Sequence, residues 1–170
     1  MRRLLAAAAV AAVVASGASA AGGPSRVIRG DYRIGDYAVK ADGTLAGAIR
    51  AFGRPSASRR SGAYCHASWR ALGVRAEFYN LADANPCLPA KGYFSVASMT
   101  GRGWLTASGL RIGDSVADAR RLYPHAERHG SSLWLVARFT QATGRYAGLA
   151  ARLAGGRVAA LVVTYEAGGE

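Results

Sequence analysis

The stretch TLAGAIRAFGRP, Thr44–Pro55, decides how the rest of the chain is read. Leu45, Ala48, Ile49 and Phe52 fall at i, i+3, i+4 and i+7, which makes one apolar stripe at helical period. Asp42 or Thr44 can cap the start of this helix. Gly53 and Pro55 stand where a helix stops. The same pattern returns at Ser115–Ala126, SVADARRLYPHA. Val116, Ala119 and Tyr123 take the positions of Leu45, Ala48 and Phe52. Ser115 replaces Thr44 as cap, Asp118 completes an acidic capping box, and Pro124 ends the helix. Arg120 is the misfit, standing where Ile49 stands.

The surroundings of the two stretches agree. Arg-Ile-Gly-Asp precedes each helix, at Arg33–Asp36 and Arg111–Asp114. Alternating strands follow each helix. In the first half Val74, Ala76 and Phe78 oppose Arg75, Glu77 and Tyr79, and a second strand runs from Tyr93 to Ala97. In the second half Leu133, Leu135 and Ala137 oppose Trp134, Val136 and Arg138. Gly155–Gly156 then links two apolar runs, a hairpin signal because both positions tolerate positive φ. The period of about 70 residues exceeds the roughly 20–50 of solenoid repeats. The expectation is therefore an α+β fold of two tandem repeats, Ala21–Arg102 and Gly103–Glu170, each a short helix packed on an antiparallel sheet. Pro55–Gly62 and Ala82–Gly92 read as loops, and Ala21–Ser25 and Ala167–Glu170 are expected to fray.

The N-terminus has its own reading. Arg2 and Arg3 precede an apolar run, Leu4–Val14, and Ala18–Ser19–Ala20 fits small-x-small cleavage. Met1–Ala20 is expected to be a secretory signal peptide. The run is shorter than the roughly 20 apolar residues of a membrane span, so after cleavage the chain is not expected to be an integral membrane protein. A secreted, extracytoplasmic location follows. Cys65 and Cys87 are the only cysteines, and an even count in an oxidising compartment reads as a disulfide. The alternative, a Cys65 thiolate activated by His66, is poorly served, because neighbours on a strand point to opposite faces.

The formal charge is +12, and Lys40 and Lys91 are the only lysines among 22 basic residues. Such an excess suits anionic wall polymers, lipid headgroups, extracellular DNA or acidic proteins. The basic residues are dispersed, which reads as a solvated surface rather than a nucleic-acid groove, and no specific nucleic-acid motif is present.

Catalytic signals are weak. Asp42, Asp114 and Asp118 sit at helix-cap positions. His125 and His129 follow Pro124, outside helical i, i+4 metal geometry. No nucleophile elbow, phosphate loop or His-Glu-x-x-His occurs. No catalytic residue, metal or cofactor is therefore expected. The aromatics Trp69, Tyr79, Tyr93, Trp104 and Trp134 lie in or beside strands, and tryptophan, tyrosine and arginine are enriched at binding hot spots. Tyr79 and Trp134 are the least core-like by alternation, and Trp69 and Trp104 complete the candidate binding set.

Thr44, Leu45, Phe52, Gly53 and Pro55, with Ser115, Val116 and Tyr123, carry a resemblance. Cap, amphipathic helix, Gly-x-Pro and antiparallel strands resemble the BamE (SmpA/OmlA) type of bacterial envelope module and its tandem form in the β-lactamase inhibitor protein group (BLIP-like). The resemblance implies an exported, non-enzymatic protein that binds another protein through a concave sheet with exposed aromatics. Attachment to an anionic cell-envelope polymer is the alternative expectation, and an envelope enzyme the third.

Overall fold

The computed structural model describes residues 24–82, 84–140 and 144–165. The leader expected at Met1–Ala20, and the fraying ends at 21–23 and 167–170, lie outside the described residues. Three short strands come first: β1 (Val27–Arg29), β2 (Arg33–Ile34) and β3 (Tyr37–Ala38). Helix α1 (Leu45–Phe52) follows, then β4 (Ala57–Ser61), β5 (Tyr64–Trp69), β6 (Val74–Tyr79) and β7 (Tyr93–Met99). The second half runs β8 (Leu105–Thr106), α2 (Val116–Leu122), β9 (Glu127–His129), β10 (Ser132–Thr140), β11 (Gly144–Ala154) and β12 (Arg157–Thr164).

Eight of these strands form one antiparallel sheet in the order β4-β5-β6-β7-β12-β11-β10-β9. The other four form a small sheet, β3-β2-β1-β8, in which β1 and β8 are parallel. The molecule is thus α+β, and both helices and the small sheet cover one face of the large sheet. A single cluster fills the space between: Ile28, Tyr37 and Leu45 from above meet Phe78, Phe94 and Leu161 from the sheet. Phe52 sits among aromatics, with edge contacts to Tyr37 at 5.8 Å, Trp69 at 5.4 Å and Trp104 at 6.3 Å between ring centres.

The helices start as their caps dictate. Thr44 Oγ1 accepts from the Gly47 amide at 3.1 Å. Ser115 and Asp118 exchange the two bonds of a capping box. The first free amides are then taken by a strand entry. Leu45 N–H donates to Gly92 O and Val116 N–H to Gly156 O, while Phe94 N–H donates to Gly43 O and Val158 N–H to Asp114 O. Each helix start is therefore stitched to the first residues of β7 or β12. Arg120 is exposed, so α2 presents a thinner apolar face than α1.

Two local expectations change. Pro55–Gly62, read as a loop, contains β4. All five of its residues are exposed, and it pairs with β5 as a backbone ladder, so no apolar period marks it. The alternation expected for β10 breaks after Leu135. The register shifts between Trp134 and Ala137, and such a bulge inverts the faces beyond it. Val136 packs on the core and Ala137 is exposed. Arg138 turns to the covered side.

There Arg138 forks onto Asp31 in the β1–β2 turn, with Nε to Oδ2 at 2.6 Å and Nη2 to Oδ1 at 2.7 Å. Gly148 makes room: a Cβ there would lie 3.0 Å from Asp31 and 2.9 Å from Arg138. The bond from Arg138 holds the buried Asp31 carboxyl below its ordinary value of 3.8, against the opposing effect of burial. Asp31→Asn should cost about 1–2 kcal/mol in urea unfolding at neutral pH. Because the folded pKa is the lower one, the contribution is complete well above 3.8 and fades as pH falls below it towards the folded value. The gap between parent and variant should close on acidification, and a gap independent of pH would refute the pairing as its cause.

Candidate binding face

The core takes Cys65, Ala67 and Trp69 from β5, Val74, Ala76 and Phe78 from β6, and Phe94, Ala97 and Met99 from β7. Alternation leaves the intervening side chains on the other face, across which no described helix or strand lies. The register gathers residues that are distant in sequence. Ala57, Ser68, Arg75 and Ser98 stand opposite one another across β4 to β7. The same row continues through Val162, Ala150, Trp134 and Glu127 from β12 to β9.

Three zones occupy this face. At one end Tyr64, Tyr79 and Tyr93 are cross-strand neighbours. Tyr64 is 43% and Tyr93 51% exposed, and the rings of Tyr79 and Tyr93 tilt together at 6.4 Å. The β7 register slips between Phe94 and Val96, which keeps both Tyr93 and Val96 on the open side. Exposed Leu81 lies beside the tyrosines in a shallow pocket of about 550 Å³ that Lys91 also lines.

The central zone is a groove of about 710 Å³. Arg59, Arg70, Arg75 and Arg152 line it, with Val96 and Val162 as apolar floor. Glu77 is the one carboxylate among the described residues of the lining, and it faces His66 Nδ1 at 3.2 Å. At the far edge Trp134 is half-buried, its ring stacked on His129 at 3.7 Å. Glu127 joins His129 to Arg145, whose Nη2 donates to Oε1 at 2.5 Å. Arg145 first and His129 second hold the Glu127 carboxyl below the usual carboxylate range.

The candidate set from the sequence divides. Tyr79 and Trp134 are on the open face. Trp69 and Trp104 are not: they are 3% and 1% exposed. Trp69 shares the core side of β5 with Cys65, and its Nε1 donates to Gly53 O at 2.7 Å. Trp104, in the turn before β8, donates Nε1 to Leu72 O at 2.7 Å. A tryptophan that is buried with its N–H paired fills the core and offers no surface. Sequence reasoning missed Tyr64, which a strict alternation of β5 against Cys65 and Ala67 would have exposed. It also missed the groove arginines, which lie far apart in the chain and meet only through strand order.

Cys65 and Cys87 are bonded, as expected, with Cα atoms 5.1 Å apart. This excludes a Cys65–His66 nucleophile. Among the described residues no group of three or more His, Cys, Asp or Glu side chains could hold a metal ion, and no helix is long and apolar enough to cross a membrane. The arrangement offers binding chemistry: aromatic surface, guanidiniums that no described carboxylate pairs with, and an apolar floor.

No family model and no curated protein matches the chain. A crystal structure of an extracellular protein containing an SCP domain, from Bacillus anthracis str. Ames, is similar at 12% identity and a TM-score of 0.43. The match covers 74% of this chain and 44% of that one, so this chain spans less than half the length of that protein.

Proposed function

We propose that the chain is an exported, non-enzymatic binding protein that recognises another protein through the open face of its eight-stranded sheet. The observation that carries this reading is the tyrosine row, Tyr64, Tyr79 and Tyr93, aligned across three strands, with Tyr64 and Tyr93 exposed and Tyr79 half-buried between them. Tyrosines of this kind present large amphipathic contact area at low entropic cost. Along one row Arg75 and Trp134 are four interstrand spacings apart, roughly 19 Å, a span suited to a protein epitope. The disulfide supports export, since such bonds persist in oxidising compartments.

The reading includes two tandem units of the kind the BamE-type and BLIP-like resemblance implies. It is supported by the matched stitching of α1 to β7 and α2 to β12, and by the mirrored strand order about the β7–β12 pair. Attachment to an anionic envelope polymer is the second reading, favoured by the +12 charge and the groove arginines.

The test is retention of secreted proteins and of cell walls from the source organism across a salt series. A protein partner should survive moderate salt, and Tyr79→Ala or Trp134→Ala should each weaken its binding about 30-fold, as for a hot spot of ~2 kcal/mol. Wall retention that collapses with salt and ignores both substitutions would favour the polymer instead.

A further inference from the structure

We infer that the central groove receives an acidic segment of the partner protein, carrying several Asp or Glu side chains interspersed with apolar ones. This rests on the binding reading above and names what the face selects. Arg59, Arg70, Arg75 and Arg152 come from β4, the turn after β5, β6 and β11, and all line one groove. No described carboxylate pairs with any of them. Four arginines outside the groove do have a carboxylate, Arg50 with Asp42, Arg121 with Asp118, Arg138 with Asp31 and Arg145 with Glu127, while Arg60, Arg128 and Arg157 donate to backbone carbonyls instead. The groove therefore concentrates positive charge that the fold leaves uncompensated, with Glu77 alone against it and that carboxylate turned to His66. Like charges gathered on one sheet face repel one another, and an anionic occupant relieves that repulsion.

The dimensions and the floor identify the occupant. From β4 to β11 the arginines span five strand spacings, roughly 24 Å. A single phosphate or carboxylate cannot bridge that width, whereas a chain with several carboxylates can. Guanidiniums receive planar carboxylates through two parallel N–H bonds. Val96 and Val162 adjoin the arginines, and Tyr79 lies beyond Glu77 on the same strand as Arg75. A uniformly charged polymer has no apolar group for that floor, but a polypeptide does. Ser68 and Ser98 flank Arg75 on both neighbouring strands. Being small, they leave its guanidinium reachable from above.

The experiment uses the whole secreted protein and a fluorescent peptide that alternates Glu with Leu, followed by anisotropy at physiological salt. Polyphosphate serves as the competing occupant. The double variant Arg75→Gln/Arg152→Gln should bind the peptide about tenfold or more weakly. The control pair Arg111→Gln/Arg120→Gln, which removes the same charge from outside the groove, should leave binding unchanged. Equal weakening by both pairs would mean net charge alone and overturns the inference. So does polyphosphate that binds more tightly than the peptide and depends on Arg75 and Arg152. Absence of peptide binding, with partner retention still lost on Tyr79→Ala, overturns the groove inference alone. Peptide binding that needs Arg75 and Arg152 supports it even where Tyr79→Ala and Trp134→Ala leave partner retention intact, and that second result removes the aromatic reading instead. Circular dichroism and thermal midpoints of all variants exclude misfolding as the cause.

Discussion

Trp104→Ala is expected to lower the stability of the folded chain by about 4 kcal/mol, a fall of roughly 12 °C in Tm for a protein of this size. The reason is position. Trp104 joins the end of β7 to β8, and so stands between the large sheet and the small one. It is almost fully buried, with its edge against Phe52 and its Nε1 on the Leu72 carbonyl. Its neighbours are already close: a Cβ added at Gly35 or at Gly101 would lie 3.5 Å from the indole. Removal leaves a cavity that rigid strands on both sides cannot collapse. Trp104→Phe separates the two contributions. It retains most of the packing but leaves the Leu72 carbonyl unpaired, at a cost of about 1–3 kcal/mol. Urea unfolding of both variants measures this directly. A loss below about 1 kcal/mol for Trp104→Ala, the range of surface substitutions, would contradict the burial. Trp134→Ala, on the open face, should fall in that lower range while affecting binding.

Opening the Cys65–Cys87 bond, by reduction or by replacing both with Ser, should cost about 3 kcal/mol on the loop-entropy account. The loss should also be uneven. Cys65 is a buried residue of β5, and Cys87 lies in the loop between β6 and β7. That loop does more than connect strands. Pro89 O and Gly92 O accept the Ala46 and Leu45 amides at 2.8 and 3.0 Å, satisfying donors that a helix start leaves free. The disulfide thereby holds the loop that holds α1. Asn80 Nδ2 on Lys91 O and Asn85 Oδ1 on the Cys87 amide give only local support. The start of α2 rests instead on Gly156, in a hairpin without cysteine. Hydrogen exchange on the reduced protein should therefore show Leu45 and Ala46 losing protection well before Val116. Equal loss at both helices would mean that the bond acts on global stability alone.

Both helices were legible because their signals are local. Thr44 and Ser115 cap residues three positions on, and the apolar stripes recur at a period set by the backbone itself. The disulfide was legible because the chain has two cysteines and one way to pair them. The core strand β6 followed from alternation. Where alternation failed, the cause was non-local. β4 has no apolar face, because an edge strand needs only the ladder of its neighbour. The β10 bulge exists because that strand must bury Leu135 and still bring Arg138 to Asp31, a residue far away in sequence.

Trp69 and Trp104 show the same division at the candidate site. Their residue type suited a hot spot, but whether an indole faces solvent depends on which strand side the core claims, and Leu72 and Gly53 supply the buried acceptors. The arginines show the reverse. Arg59, Arg70, Arg75 and Arg152 read as scattered surface charge, and strand order places them around one groove. By itself the sequence determined the helices, their caps, the cysteine pair and the α+β class, because each depends on contacts within a turn, a strand or a forced pairing. The tertiary structure alone decided which face stays open and which charges meet there, because cross-strand register joins residues that no local period relates.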